Sequence, residues 1–233
     1  MTRQDPNVAQ VELVAHALGS LCDELVFVGG CAAGLLITDP AAPPVRATMD
    51  VDLLVSAATR ADYRATELKL EALGCRHDMT ADAPICRWVH GRIKVDLMPT
   101  DASILGFANR WYPQAIETAS EVTLPSGKRI RLISAPAFLA TKFEAFHDRG
   151  KGDLLASHDL EDIINVIDGR ESLLGEIGAA PEELRSYLAA ECGKLLAMRD
   201  FSYQLPGIMN DDSPPLRADK VEAKLRVIAE SRP

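Results

Sequence analysis

The chain has little that would tie it to a membrane, an oxidising compartment or a polyanion. No run of apolar residues approaches the roughly 20 needed to span a bilayer as a helix. The opening stretch, MTRQDPNVAQ, lacks the basic-then-apolar order of a signal peptide. These absences predict a cytoplasmic protein without a membrane partner. The five cysteines (Cys22, Cys31, Cys75, Cys86, Cys192) are odd in number and scattered, and no Cys-x-x-Cys pair occurs. That pattern argues against a disulfide framework or a zinc site and fits reduced thiols. Positive charge is scarce as well: 25 Lys and Arg stand against 34 Asp and Glu, for a formal net charge of −9. Non-specific nucleic-acid binding is mostly phosphate neutralisation, so a chain of this balance is not a general nucleic-acid binder. A polynucleotide substrate would have to meet a local basic patch. Lys128–Arg131 (K-R-I-R) offers one, although alternating Arg on a solvent-facing strand is the simpler reading.

What the chain does have is ordinary globular material. It is 233 residues long, 47% hydrophobic and 25% charged, enough for one domain or two small ones with a substantial core. No internal repeat or low-complexity segment interrupts it. Val11, Val14, Ala15 and Leu18 recur at helical spacing and predict an opening helix over 8–22. L-V-F-V at 25–28 predicts a short buried strand, broken at once by Gly29-Gly30, and 31–37 a helix packed on it. Pro40, Pro43 and Pro44 mark a loop before a second strand at 51–55. Thr59 opens a helix running to about Leu73, with Gly74 as its C-cap. Residues 85–89 and 92–98 read as strands joined at His90-Gly91, and 120–124 and 129–133 as a pair joined through Ser126-Gly127. Beyond Ser134 the pattern is helical, with breaks near 149–156, at Gly169 and across 206–215. The expected architecture is α+β, with an α+β half over 1–133 and an all-helical half over 134–233.

Three features carry chemistry together. Gly29-Gly30 stands between a strand and a helix, where glycine lets backbone approach a ligand and the helix start offers N–H groups to a phosphate. R-A-T-M-D-V-D-L-L-V (Arg46–Val55) places Asp50 and Asp52 two apart, on the same side of a strand. Two such carboxylates repel unless a cation joins them, and Mg²⁺ suits: a hard ion held by a few carboxylates while substrate phosphates fill its other positions. R-I-K-V-D-L-M (Arg92–Met98) sets Asp96 within an apolar strand, which is costly unless the carboxylate is paired or metal-bound. Singly, each feature has a bland counterpart in a structural turn or a solvated Asp-x-Asp. Their order is what points to a site.

That order resembles the polymerase-β-like nucleotidyltransferase superfamily: strand, Gly-Gly, helix, then Thr48-x-Asp50-hydrophobic-Asp52, then Asp96 on a later strand. The resemblance implies a mixed sheet flanked by helices, followed by a C-terminal helical bundle, with the active site in the cleft between the halves. It also implies Mg²⁺ (or Mn²⁺) bound by Asp50, Asp52 and Asp96, the last of them also activating the attacking group. Gly29, Gly30 and Thr48 would contact the nucleotide. F-L-A-T-K-F-E-A-F at 138–146, D-R-G-K-G-D at 148–153 and H-D-L-E-D-I-I at 158–164 are similar to the AbiEii-type nucleotidyltransferases, the toxin side of many bacterial toxin–antitoxin pairs. This resemblance covers roughly 25–168 and implies transfer of a nucleoside monophosphate from an NTP to an acceptor such as tRNA, with an antitoxin protein as partner. Cys31 departs from the superfamily, which usually has Ser or Thr after the glycines.

Two further residues join the candidates. Lys142 lies at the edge of the stripe made by Leu139, Phe143 and Phe146, from which it either snorkels to solvent or reaches a phosphate or carboxylate. Lys142 is on this ground a candidate for catalysis and nucleotide binding. Asp159 flanks the stripe of Leu160, Ile163, Ile164 and Ile167 and is the nucleotide-site candidate, whereas Asp162 falls nearer the far face and reads as a surface or helix-stabilising residue. The basic residues expected near the cleft are Arg46, Lys128, Arg129, Arg131, Arg149 and Lys151. Other chemistries fit less well. Three His-Asp dipeptides, at 77, 147 and 158, suggest an HD-type phosphohydrolase, but the first falls between a helix and a strand instead of on a helical frame. A haloacid-dehalogenase-type phosphatase needs its Asp-x-Asp after a hydrophobic strand, which 45–49 does not supply. The rival of a different class is a non-catalytic nucleotide-binding or regulatory module on the same fold. The intact aspartate trio argues against it, since a decayed site would tolerate loss of at least one.

Overall fold

Short apolar runs and the turns between them divide the first part of the chain into strands β1 (Leu25–Val28), β2 (Asp50–Val55), β3 (Arg76–His77), β4 (Arg87–His90), β5 (Ile93–Pro99), β6 (Ser120–Thr123) and β7 (Arg129–Leu132). Helices α1 (Val8–Leu18), α2 (Gly29–Leu36), α3 (Arg60–Ala72), α4 (Ala102–Leu105) and α5 (Tyr112–Glu117) connect them. The structure is a computed structural model and describes residues 5–149, 153–209 and 215–231. Two compact units emerge, one from 5–32 with 46–134 and one from 33–45 with the chain from 135 onward.

In the first unit the strands form a mixed sheet in the order β3-β4-β5-β2-β1-β7-β6. β2 pairs parallel with β5 and antiparallel with β1, while β1 also pairs parallel with β7. The hairpin turn at Gly91 fixes the register of β4 on β5, so that Arg87 faces Asp96 and Trp88 faces Val95. All four residues of β1 are buried, and β2 alternates, with Val51 and Leu53 buried and Asp50 and Asp52 partly open. The start of α3 is specified locally. The Thr59 hydroxyl accepts from the Asp62 amide and the Asp62 carboxylate accepts from the Thr59 amide, a reciprocal cap on two otherwise unsatisfied donors. α1 is shorter than its apolar pattern suggests. Gly19 has φ +58 and ends the α-helix, and Gly19–Asp23 tightens into a 3₁₀ turn.

The second unit is helical among its described residues: α6 (Ala135–Arg149), α7 (His158–Gly169), α8 (Leu173–Ala179), α9 (Glu182–Ala197), α10 (Phe201–Ile208) and α11 (Pro215–Glu230). α7 is its centre, in contact with α6, α10 and α11 and starting at Ser157, whose hydroxyl accepts from the Leu160 amide. The 33–45 segment joins this unit. The amides of Thr38 and Asp39 donate to the Gly169 carbonyl at 2.9 and 2.8 Å, and a Cβ on Gly169 would meet Ile37 Cγ2 at 2.5 Å. Arg217 of α11 pairs with Asp39 (2.7 Å) and Asp168 (2.6 Å), and the Lys224 ammonium donates to the carbonyls of Ile167 and Asp168. Lys224 therefore satisfies carbonyls at the end of α7, where the helix leaves them without intrahelical partners. No described helix is long and apolar enough to cross a membrane.

Candidate active site

Sheet register brings the sequence-predicted aspartates together. Asp52 on β2 is the register partner of Asp96 on β5, and Asp50 stands two residues before Asp52 on the same side. Asp96 is 7% exposed, whereas Asp50 and Asp52 are partly open. On the other flank of Asp52 lies β1, where Val28 is its register partner. The next residue, Gly29, has φ +67, and a Cβ there would stand 1.7 Å from Asp52 Oδ2. Only glycine can occupy that position without moving the carboxylate.

The start of β2 is tied down by a residue that sequence reasoning passed over. Asn7, 1% exposed, donates from Nδ2 to the Arg46 carbonyl at 3.0 Å and accepts from the Thr48 amide at 2.8 Å. The Thr48 hydroxyl lies 3.2 Å from the Asp50 carbonyl and 3.3 Å from Asn7 Oδ1. Thr48 thus shapes the backbone that carries Asp50. Gly30 is buried, and the Cys31 thiol turns inward to the Val28 carbonyl at 3.1 Å. The side chain that replaces the usual Ser or Thr is therefore inside the protein, and any contact to a phosphate from this turn would come from backbone. Burial, helped by the charge of Asp96, pushes the thiol of nearby Cys86 up to about 12.

The second residue missed from sequence is Arg87. Its Nε donates to Asp96 Oδ1 at 2.7 Å and its Nη2 to Asp96 Oδ2 at 2.6 Å, a two-point fork, while Nη2 also reaches Asp50 Oδ2 at 2.5 Å. The hydrogen bonds to Asp96 hold its pKa above the usual guanidinium range. Counting back from the Gly91 turn would have found it, since a tight hairpin there must set residue 87 against 96. Arg87 also tests the fit of a metal. Among the described residues no three His, Cys, Asp or Glu side chains are gathered as a cluster that could hold an ion. The donor chemistry nevertheless suits a hard divalent cation, because all three candidate ligands are carboxylates. Arg87 Nη2 is a positively charged group that touches Asp50 and Asp96 at once.

Lys142 and Asp159 form a separate group, in the helical unit. Lys142 is 6% exposed, and its ammonium lies 2.6 Å from Asp162 Oδ2 and 3.0 Å from Asp159 Oδ1. Arg149 grips Asp159 from the other side, with Nε to Oδ2 at 2.7 Å and Nη2 to Oδ1 at 2.9 Å. Burial raises the Asp159 carboxyl, but Arg149 and Lys142 outweigh it and leave the group at about 2. Burial pulls the Lys142 ammonium down, and the two carboxylates more than offset this. Lys142 therefore neither snorkels to solvent nor stands open to a phosphate. Asp162 corrects the helical-wheel expectation: it is 1% exposed, not a surface residue. α7 is covered on more than one side, so its polar positions are interior too.

No protein-family model matches the chain, and no curated protein matches it either. Among solved structures it is similar to an antigenic nucleotidyltransferase-like protein from Paracoccidioides brasiliensis, at 22% identity over 90% of this chain and 94% of that one, with a TM-score of 0.49. It is also similar to the antibiotic-resistance factor ANT(2'')-Ia in solution, at 19% identity over 85% of this chain and 99% of that one, with a TM-score of 0.47. The similarity is one of chain path.

The basic residues expected to meet a polynucleotide are mostly engaged. Lys128 donates to the Gly19 carbonyl, Arg131 to the Ile116 carbonyl, Arg129 pairs with Glu121 and Arg149 with Asp159. Arg46 bears the carbonyl that Asn7 holds, and Lys151 lies outside the described residues. A hollow of about 530 Å³ lies beyond the C-terminal ends of β2 and β5, lined by Ser56, Thr100, Asp101, Asn109 and Arg110 among others. Its carboxylate, Asp101, is spent on the Ser103 amide as a helix cap.

Proposed function

We propose that the protein is an enzyme, a nucleotidyltransferase that moves a nucleoside monophosphate from an NTP to an acceptor and uses Mg²⁺ or Mn²⁺ held by Asp50, Asp52 and Asp96. The observation that carries this reading is the side-by-side register of Asp52 and Asp96, with Asp50 on the same side and Gly29 backbone against Asp52. A divalent ion bound there would polarise phosphoryl oxygens and neutralise charge that builds on them. The protein's own part is positioning. Asn7 and Thr48 fix the backbone before Asp50, and Gly29 leaves room for Asp52. The turn at Gly29-Gly30 offers backbone N–H groups to the triphosphate. Asp96, the most buried of the three, is the carboxylate suited to take the proton of an acceptor hydroxyl once Arg87 no longer occupies its oxygens. In this reading Lys142 and Asp159 act together as a buried pair that holds α6 to α7, and any service to nucleotide comes through that rigidity.

For the acceptor we propose an RNA end such as that of tRNA, with the chain acting as the toxin of a toxin–antitoxin pair. The support is the likeness of 138–164 to AbiEii-type sequences. With a net charge of −9 and Arg129 and Arg149 already paired with carboxylates, RNA affinity should fall with salt along a shallow slope. Arg87 favours one rival, a non-catalytic module, because a side chain stands where an ion would. The test is incubation of purified protein with α-labelled NTPs, Mg²⁺ and total RNA. Label in RNA that disappears with Asp52→Asn supports the whole reading. Label confined to protein bands removes the RNA acceptor and keeps the transferase. No label above the Asp52→Asn background with any NTP would leave the non-catalytic module.

A further inference from the structure

Arg87 does more than balance charge. Register sets it on the same side of the sheet as Asp96 and Asp52, in a row that runs across β4, β5 and β2. Its two-point fork fixes the guanidinium on Asp96, and the shared Nη2 then reaches Asp50. Nη2 lies 2.5 Å from Asp50 Oδ2 and 2.6 Å from Asp96 Oδ2, so a divalent ion held by these carboxylates would compete with the guanidinium for the same oxygens. We propose that Arg87 is the internal counter-ion of the metal-free site, and that a divalent ion gains Asp50 only when Arg87 releases it. The proposal rests on the metal-site reading above and adds a rule for how the site fills.

The two holds are unequal, which sets the order of release. Arg87 grips Asp96 through two nitrogens and Asp50 through one, and the Asp96 side chain is 10% exposed against 30% for Asp50. Asp50 is the carboxylate that comes free first. Arg87 then remains on Asp96 next to an incoming double positive charge, an arrangement disfavoured by like-charge repulsion. A triphosphate relieves it by bringing acceptor oxygens that both the guanidinium and the ion can use. Metal without nucleotide should therefore bind weakly, and metal with nucleotide cooperatively, each raising the other's affinity by the same factor.

The experiment is Mn²⁺ titration followed by the electron paramagnetic resonance of free Mn²⁺. It uses the full chain with and without an α,β-methylene NTP, and compares wild type, Arg87→Gln, Arg87→Lys and Asp52→Asn. Wild type should bind Mn²⁺ about tenfold more tightly when the nucleotide analogue is present, a typical coupling between linked ligands. Arg87→Gln should bind Mn²⁺ alone about tenfold more tightly than wild type and lose most of the nucleotide's effect. Arg87→Lys keeps the charge without the fork, so it should fall between the two and carries the test if the glutamine variant does not fold. Mn²⁺ affinity equal to wild type in both Arg87 variants overturns the exchange and leaves the metal site intact. Absence of Mn²⁺ binding in wild type and every variant, with or without nucleotide, removes the metal site itself and the exchange with it.

Discussion

The two ionic clusters of this molecule use similar side chains toward different ends. In the helical unit two cations, Lys142 and Arg149, meet two carboxylates, Asp159 and Asp162, and three of the four side chains are nearly sealed from water. In the sheet unit one guanidinium meets the carboxylates of Asp50 and Asp96, with Asp52 a third alongside, and Asp50 remains 30% exposed. The first cluster is matched charge for charge, as a buried group must be if it is to last. The second is open on one side, at Asp50. A sealed cluster holds helices together; an open one leaves a carboxylate within reach of solvent.

The sharpest way to break this contrast is to remove one acid from each cluster. Asp162→Ala leaves the buried Lys142 ammonium short of a partner and should cost about 3–5 kcal/mol of unfolding free energy, read from urea midpoints. Asp50→Asn should stay within about 1 kcal/mol of wild type, as partly exposed pairs do. Equal losses from the two substitutions would show that both clusters are structural.

Acid titration sharpens the same point. Asp159 titrates at about 2 in the folded chain against an ordinary 3.8. Its pairing therefore stabilises the fold fully above the ordinary value, and that contribution is lost as the pH falls from about 4 to about 2. The loss should amount to about 2 kcal/mol across that window, measured by denaturant unfolding at several pH values. Asp159→Asn should flatten the profile there; an unchanged slope would show that Arg149 and Lys142 do not control this group.

A comparable effect is expected at Gly29. Gly29→Ala forces a Cβ against Asp52 and a side chain into a left-handed conformation, which should cost about 1–3 kcal/mol. Mn²⁺ affinity should fall with it, since the carboxylate must move. Smallest is Thr59→Ala, which removes a reciprocal cap far from either cluster and should cost about 1 kcal/mol without changing metal binding.

Much of the sheet could be read directly from the chain, because half-buried strands announce themselves by alternation and tight turns by glycine. Asp50, Asp52 and Asp96 stood out for the same reason: a carboxylate in an apolar strand is conspicuous. Arg87 did not, because an arginine near a hairpin is unremarkable until register is counted from Gly91 to Asp96. Asp162 was misjudged because a helical wheel assumes one wet face, and α7 has neighbours on several sides. β3, α4 and α5 are too short to leave a period, and β3 exists only through its pairing with β4. Asn7 is invisible in principle: its partners lie 39 and 41 residues away.

The placement of 33–45 has a further consequence, for the time course of folding. Asp39 and Arg217 meet across 178 residues of chain, and Leu36 and Arg170 across 134. During synthesis the early segment must wait, with its apolar residues uncovered, until α7 and α11 have been made. The helices alone are local and quick to form, but this closure is among the most distant in the chain and carries a high loop-entropy cost. A polypeptide cut before residue 135 would leave Ile37 and Ala42 without the Gly169 surface they cover. One begun at 135 would lack the carboxylate of Asp39 that Arg217 needs. The helical part of this protein is thus completed by thirteen residues that the ribosome delivers about a hundred positions too soon.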